Sequence, residues 1–202
     1  MALSILTPSL CWGCGAGSGG HSLCRSCRAL LRWAERVAEP ACGVPAWAPV
    51  AYDGPARALV SGFKFRGGRG LAGELAAAIA AGAPEGLLAG ALVPVPLARG
   101  RRRSRGYNQA EELARQLSQR TGLPVHDALE RRGGSARQTG RSRGARLAGP
   151  PRFRAVRPAP PRAVLVDDVI TTGATLAACA QTLRAVGAHE VVAVSYARTP
   201  GR

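Results

Sequence analysis

A fourteen-residue stretch near the carboxyl end, Ala163–Leu176, constrains the fold more than any other part of the chain. Its first five residues, Ala163–Asp167, are almost all apolar, which predicts a strand buried on both faces, as in a parallel sheet. Two acids end this strand, a Thr-Thr-Gly-Ala-Thr turn follows, and apolar residues then recur at helical spacing from Leu176 onward. This order predicts an α/β fold in which helices flank a parallel sheet.

The turn between the two acids and the helix is a predicted anion site. Unpaired backbone N–H groups and the positive end of the helix dipole lie at such a helix start, and threonine hydroxyls add further donors. Asp167 and Asp168 do not suit phosphate, but they suit sugar hydroxyls or a Mg²⁺ ion carried by a phosphorylated ligand. The predicted ligand is therefore a sugar that carries a phosphate. A simple N-capped helix is the alternative, but it leaves two adjacent acids unexplained in a chain with only four Asp.

Four cysteines near the amino end form two C-x-x-C pairs, Cys11–Cys14 and Cys24–Cys27. Four thiolates at this spacing suit a tetrahedral Zn²⁺ ion, and a metal is needed because few apolar residues precede residue 29. Buried free thiols or redox pairs are the alternatives, but a redox C-x-x-C usually follows a strand in a thioredoxin-like unit. Cysteines spaced for metal also fit a reducing, cytoplasmic compartment.

Composition between the cysteines and the first predicted strand indicates a domain boundary. A short amphipathic helix is predicted over residues 28–38, and three prolines between 40 and 49 predict an extended linker. We predict a zinc-ribbon-like module with its linker over residues 1–45 and an α/β domain over residues 46–202. Because no run of eighteen apolar residues occurs, no transmembrane helix is expected.

A second strand–loop–helix unit is strongly basic. Ala91–Leu97 predicts a buried strand, residues 99–106 predict a loop with five arginines, and residues 107–117 predict a helix. The loop suits a highly charged anion such as pyrophosphate. The alternatives are a solvated basic loop or a nucleic-acid patch, and the net charge of +16 favours anionic ligands of either kind.

Two other features are candidates for ligand contact. Lys64 is the only lysine in the chain, and a compact ammonium there would reach a phosphate or a substrate oxygen. A surface lysine on an amphipathic helix is the alternative. Residues 131–152 are rich in Gly, Arg and Ser, which predicts a mobile loop that closes as a lid over a charged ligand.

The segment Val166–Thr175 resembles the phosphoribosyl-pyrophosphate (PRPP) motif of type I phosphoribosyltransferases, and every position of that motif is present. In that family the two acids hold the ribose hydroxyls, and the Thr-Gly loop wraps the 5′-phosphate. The resemblance assigns ribose-5-phosphate binding to Asp167, Asp168, Thr171, Thr172, Gly173, Ala174 and Thr175.

Nearly the whole chain resembles the ComF family, which are competence-associated phosphoribosyltransferase-like proteins with an N-terminal zinc ribbon. The specific parts of the resemblance are Arg105–Ala110 and the PRPP motif. A second C-x-x-C that family members often carry is incomplete here, because Glu39 precedes Cys42. The resemblance assigns a pyrophosphate loop to Val95, Pro96, Arg105, Gly106, Asn108 and Gln109. It assigns mobile-loop contacts to Gln138, Arg143 and Arg146.

This resemblance implies a protein that binds PRPP with Mg²⁺ and transfers phosphoribosyl to an acceptor that the sequence does not identify. Loss of pyrophosphate leaves an oxocarbenium-like sugar, so the protein mainly positions the reactants and neutralises the leaving group. The alternative is a non-enzymatic zinc-containing adaptor in DNA uptake or processing, which binds single-stranded DNA or DNA-uptake proteins. Related folds also bind PRPP or nucleotides only for regulation.

Overall fold

A sheet of six strands forms the centre of the structure and carries helices on both faces. The computed structural model describes residues 9–35, 37–65, 67–132 and 152–201. The strands are β1 (Glu39–Ala41), β2 (Val44–Trp47), β3 (Val50–Ala51), β4 (Ala91–Pro94), β5 (Leu129–Arg132), β6 (Arg152–Ala155), β7 (Arg162–Ile170) and β8 (Glu190–Arg198). The α-helices are α1 (Arg25–Ala29), α2 (Gly54–Phe65), α3 (Ala72–Gly82), α4 (Arg99–Arg105), α5 (Gln109–Thr121) and α6 (Ala174–Arg184).

The order of the strands confirms the predicted parallel architecture. The main sheet has the order β1-β2-β8-β7-β4, with β3 also paired to β8. Every pair in this sheet is parallel except β1 with β2. Because β4 and β7 run in parallel, both of their carboxyl ends lie at one edge of the sheet, where the two predicted loops begin.

Alternate residues of β7 enter two separate hydrophobic cores. Val164 and Val166 pack with α2, α3 and α5 on one face, whereas Ala163 and Leu165 pack with α6 on the other. This burial on both faces is the reason that the strand is a continuous apolar run rather than an alternating one. None of the helices in the described part of the chain is long and apolar enough to cross a membrane.

The predicted helix over residues 28–38 is wrong, because α1 ends at Ala29. The following segment instead runs beside β3, where the Ala34 N–H donates to Pro49 O at 2.8 Å and the Ala51 N–H donates to Arg32 O at 2.9 Å. The Trp47 indole N–H also donates to Glu35 O at 2.7 Å. Pairing with the sheet satisfies these backbone groups, whereas a short isolated helix is only marginally stable.

Two further segments also differ from the prediction. The prolines after residue 39 do not form a free linker, since Pro40 in β1 pairs with Pro45 in β2, and β1 lies at a sheet edge where proline is tolerated. Residues 99–105 form α4 rather than a loop, because arginine is a good helix former and Gly106 ends the helix at φ +79°. The domain division between residues 45 and 46 stays a prediction.

The cysteine-containing segment packs directly on α2. A Cβ atom on Gly62 would lie 2.4 Å from Cε3 of Trp12, so only glycine leaves room for the indole ring. Cys11, Leu23 and Cys27 belong to the same core as the buried residues of α2 and α3. The small N-terminal module therefore shares apolar burial with the α/β part of the protein.

Candidate functional site

A cavity of about 230 Å³ lies at the carboxyl ends of β4 and β7. Both predicted loops contribute to its wall, as the parallel pairing of the two strands requires. The predicted site residues that line it are Lys64, Val95, Pro96, Arg105, Asn108, Gln109, Asp167, Asp168, Thr171, Gly173 and Thr175. Three others, Gly106, Thr172 and Ala174, are adjacent in sequence to lining residues and exposed, but they do not line the cavity themselves.

The two acids occupy different environments within this cavity. Asp168 is buried, and its Oδ1 lies 2.7 Å from Nζ of Lys64. Oδ1 of Asp167 accepts a hydrogen bond of 2.8 Å from the Asp168 N–H. Desolvation and the neighbouring Asp168 charge raise the pKa of Asp167 to about 7, although Lys64 and Arg105 oppose the rise. The acid pair therefore carries its full negative charge only above neutral pH.

The threonine loop packs against the end of β1 and the turn between β1 and β2. Gly173 adopts φ +80°, and the backbone of Ala41 packs directly against it. Cys42 Sγ donates a hydrogen bond of 2.8 Å to Thr172 O. The turn thus fixes the loop that leads into α6. The first backbone N–H groups of an α-helix have no partner within the helix, so the start of α6 beside the cavity can offer donors to a ligand.

Cations from three elements face the acid pair. Lys64 comes from α2, Arg101 and Arg105 come from α4, and Arg131 comes from β5. Burial and the Arg101 charge lower the pKa of Arg131, although the Asp167 charge opposes the fall. The lining thus holds four cationic side chains and only two acids, so it is net positive. Such a cavity suits a ligand with several negative charges.

Asn108 and Gln109 share the start of α5 but have different roles. The Asn108 side chain caps α5 by accepting from the Ala110 N–H at 3.2 Å, and its Nδ2 donates to Val95 O at 3.2 Å. It therefore holds the end of β4 against the helix.

Gln109 is buried, and its Oε1 accepts a hydrogen bond of 3.0 Å from Arg105. Its Nε2 has no hydrogen-bond partner within normal distance among the described residues. The Gln109 side chain does lie near the Tyr107 hydroxyl: burial raises the pKa of Tyr107, and Gln109 opposes that rise. A buried donor of this kind is available to a bound ligand.

The structure also places residues in the site that the sequence did not single out. Arg101 and Arg131 both line the cavity. Arg101 is one of five arginines in its segment, and Arg131 lies at the edge of the predicted mobile loop, so the sequence pattern did not distinguish either from its neighbours. Tyr52 and Leu97 complete the polar and apolar parts of the wall. Gln138, Arg143 and Arg146 lie outside the described residues. The surface-lysine alternative for Lys64 is wrong, because its side chain is only 19% exposed.

The four cysteines of the N-terminal module form one cluster. Sγ atoms of Cys11, Cys14, Cys24 and Cys27 all lie within 4.8 Å of one another, and those of Cys14 and Cys24 are 3.7 Å apart. A tetrahedral ion with bonds of about 2.3 Å to sulfur needs sulfur atoms roughly 3.8 Å apart. Burial raises the pKa of Cys11, but backbone N–H donors, first that of Cys24, outweigh it and lower the pKa to about 6. The cluster can therefore hold a metal such as zinc.

The fold matches the architecture predicted for a phosphoribosyltransferase-like protein. It has parallel strands flanked by helices, a strand with two adjacent acids before a threonine loop, and a four-cysteine module. The chain is 32% identical over 218 aligned positions to Competence protein F of Haemophilus influenzae, an alignment that covers 97% of this chain and 93% of that protein. It is 28% identical over 180 positions to Competence protein ComFC of Bacillus subtilis, covering 86% and 71%. The chain belongs to the ComF family of competence proteins. No protein-family model matches it.

Solved structures with a similar arrangement include the allosteric regulatory enzyme of purine biosynthesis, at 19% identity and a TM-score of 0.41. They also include glutamine phosphoribosylpyrophosphate amidotransferase from B. subtilis complexed with ADP and GMP, at 19% identity and a TM-score of 0.42. In each case the likeness covers 67% of this chain and 30% of the other. The family assignment depends on the sequence relatives and not on these partial likenesses.

Proposed function

We propose that the cavity binds PRPP together with Mg²⁺. The observation that carries this proposal is the meeting, in one cavity, of an acid pair and a threonine loop with cations from α2, α4 and β5. Hydroxyls, a monoester phosphate and a pyrophosphate are the three chemical parts of PRPP. The cavity offers carboxylates, a helix start and guanidinium groups, which are the partners that these parts prefer.

In this proposal each part of the wall has one role. Asp167 and Asp168 accept hydrogen bonds from the ribose hydroxyls, and the loop through Gly173 donates backbone N–H groups to the 5′-phosphate. Arg101 and Arg105 face the pyrophosphate, with the free Nε2 of Gln109 as a further donor. Carboxylate and phosphate oxygens are also the ligands that Mg²⁺ prefers, and the ion when bound would neutralise part of the pyrophosphate charge.

Transfer of phosphoribosyl to an acceptor is the reaction that this arrangement supports. Departure of pyrophosphate leaves positive charge on the sugar, and the cationic wall stabilises the negative charge that collects on the leaving group. Such a departure requires no nucleophile from the protein, so positioning is the main contribution of the side chains. The acceptor enters from the open side of the cavity and attacks the anomeric carbon.

We also propose that the four-cysteine cluster holds a structural zinc ion. The cluster lies within the core shared with α2 and α3, so the ion would fix the position of that core's N-terminal part. A cytoplasmic location belongs to the same proposal, because thiolate ligands must stay reduced.

A non-enzymatic role with nucleic acid is the second candidate. Arg101 and Arg103 lie on the exposed helix α4, and neither forms an ion pair with any acidic residue in the described ranges. The two sequence relatives are named as competence proteins. An arginine-rich helix beside the cavity would attract the phosphates of single-stranded DNA, and the PRPP site would then act as a sensor or a vestige.

Calorimetric titration of the zinc-loaded protein tests the first proposal and separates it from the second. We expect PRPP with Mg²⁺ to bind, and ribose 5-phosphate to bind more weakly because it lacks the pyrophosphate. The double substitution Asp167→Asn and Asp168→Asn should abolish PRPP binding and leave the affinity for a single-stranded oligonucleotide unchanged. Unchanged PRPP binding in this variant would remove the site assignment. Folded wild-type protein that binds DNA but not PRPP would support the adaptor role instead.

A further inference from the structure

The acid pair in the cavity already has a cation from the protein itself. Nζ of Lys64 lies 2.7 Å from Oδ1 of Asp168, and the two side chains are only 19% and 9% exposed. Charges held this close and this far from water interact much more strongly than a surface ion pair. The ammonium group is therefore part of the built site and not a chance surface contact.

The position of Lys64 is fixed by the helix on which it lies. Phe63 is completely buried in the core under α2, and the Tyr107 hydroxyl donates a hydrogen bond to the Phe63 carbonyl at the last turn of the helix. Both contacts hold the residue immediately before Lys64. The backbone that carries the lysine is consequently held in place, while its flexible side chain reaches Asp168.

We propose that, in the ligand-free protein, Lys64 occupies the position at Asp168 that a divalent cation would take. The cation then enters only as a complex with a sugar diphosphate, whose phosphate oxygens accept the displaced ammonium group. This inference rests on the proposed function, since it assigns the metal specificity of that same site. It makes Lys64 a specificity-determining residue that excludes free divalent ions.

The charges around the cavity explain why the metal would need its ligand. A free divalent ion could reach Asp168 only by pushing the ammonium towards Arg101, Arg105 and Arg131, which line the same small cavity. Like charges brought together in a desolvated space repel strongly. A pyrophosphate group brings oxygen atoms for both the ion and the ammonium, so the complex can enter where the ion alone cannot.

The identity of the residue fits this role. Lys64 is the only lysine in a chain that otherwise carries its positive charge on arginine. A compact ammonium with three rotatable donors can move from a carboxylate to a phosphate by a small change of its flexible stem. A planar guanidinium needs a fixed two-point partner and is less suited to such an exchange.

Titration with Mn²⁺ in the absence of any sugar phosphate tests the inference directly. Binding would be followed by the loss of the free Mn²⁺ signal in electron paramagnetic resonance, with zinc-loaded protein so that the cysteine cluster is filled. Wild type and Lys64→Arg should bind Mn²⁺ weakly, whereas Lys64→Met should bind it roughly tenfold more tightly or better. The matched control Arg101→Met removes a cavity cation that is not paired with Asp168, and it should give a much smaller gain.

A measurement on wild-type protein keeps the test decisive if Lys64→Met fails to fold. Because Lys64 is the only lysine, ¹⁵N-lysine labelling gives a single side-chain amine signal in the NMR spectrum. Mg²⁺ alone should leave that signal in place, and Mg²⁺ with PRPP should shift it.

Two results would overturn the inference: a folded Lys64→Met protein with no gain in Mn²⁺ affinity, or a wild-type lysine signal that moves with Mg²⁺ alone. A wild-type protein that fails to bind PRPP would instead contradict the proposed function, and the Mn²⁺ comparison would still decide the role of Lys64.

Discussion

Gly173 packs so closely on Ala41 that a Cβ atom added to the glycine would lie 2.7 Å from the carbonyl carbon of Ala41. The contact joins the threonine loop to the turn between β1 and β2, a part of the chain that precedes the α/β domain in the predicted division. The shape of the proposed phosphate loop therefore depends on the edge of the sheet furthest from β4.

Substitution Gly173→Ala should destabilise the protein by about 2–4 kcal/mol, because it adds a steric overlap to a backbone conformation that alanine disfavours. It should also weaken PRPP binding, since the loop must move away from Ala41. Urea unfolding and calorimetry would measure the two effects. The control Gly122→Ala has a similar φ of +73° with nothing within 4 Å, so it should cost only about 1 kcal/mol and leave binding intact. Equal losses in the two variants would contradict the packing argument.

Substitution Gly62→Ala should loosen the contact between the cysteine module and α2. The new methyl group would overlap the Trp12 ring, at 2.4 Å from Cε3, and should cost about 1–3 kcal/mol even though alanine favours the helix. Gly73→Ala is the matched control within α3, because its nearest contact would be an ordinary 3.5 Å to Gln116. Thermal unfolding should show a lower midpoint for the first variant and an equal or higher midpoint for the second. A Gly62→Ala protein as stable as wild type would show that the ring can move without cost.

Removal of the metal should disturb more than the N-terminal module. Cys24→Ser removes one of the four clustered thiols, and we expect loss of bound zinc together with a lower unfolding midpoint, because Cys11, Leu23 and Cys27 share a core with α2 and α3. Elemental analysis of freshly purified protein and thermal unfolding would measure both. Cys42→Ser, outside the cluster, should keep the zinc content of wild type. Wild-type protein purified without any zinc would refute the assignment.

Glu112 should make the stability of the protein depend on pH. Burial alone would raise its pKa, but the hydrogen-bonded guanidinium groups of Arg115 and Arg69 outweigh burial and lower it. Because the folded pKa lies below the unfolded value of 4.5, this carboxylate stabilises the fold above pH 4.5 and loses that contribution as the pH falls through the folded pKa.

Glu112→Gln should therefore lower the free energy of unfolding at pH 7 by about 1–3 kcal/mol, and the difference from wild type should shrink below pH 4.5. Its neighbour Glu111 pairs with Arg102 at the surface, so Glu111→Gln is a matched control that should cost at most about 1 kcal/mol. Denaturant unfolding at several pH values would provide the comparison. A difference at Glu112 that does not change with pH would show that the ion pairs are not its cause.

The features that the sequence predicted correctly are encoded by residues that lie close together in the chain. The buried strand and the helix that follows need only local hydrogen bonds and a local apolar pattern. The cysteine cluster is similar, because the spacing of two C-x-x-C pairs within seventeen residues is itself the pattern of a four-thiolate metal site. Errors occurred where tertiary pairing overrode local preference, as in residues 32–34, which pair beside β3 rather than continue α1. The prediction that the two acids end the strand is wrong, because β7 continues through Val169 and Ile170, which pair with Ala197 and Arg198 of β8.

The sequence by itself determined the class of fold, the buried strand with its acid pair and following threonine loop, and the four clustered thiols. Only the tertiary structure decided that Lys64 faces Asp168, that Arg131 enters the cavity from β5, and that the β1–β2 turn supports Gly173. The physical reason is that these contacts join segments far apart in the chain, and their geometry is set by how helices and strands pack around two cores. Local pattern identifies which chemical groups are available, whereas packing determines which of them meet.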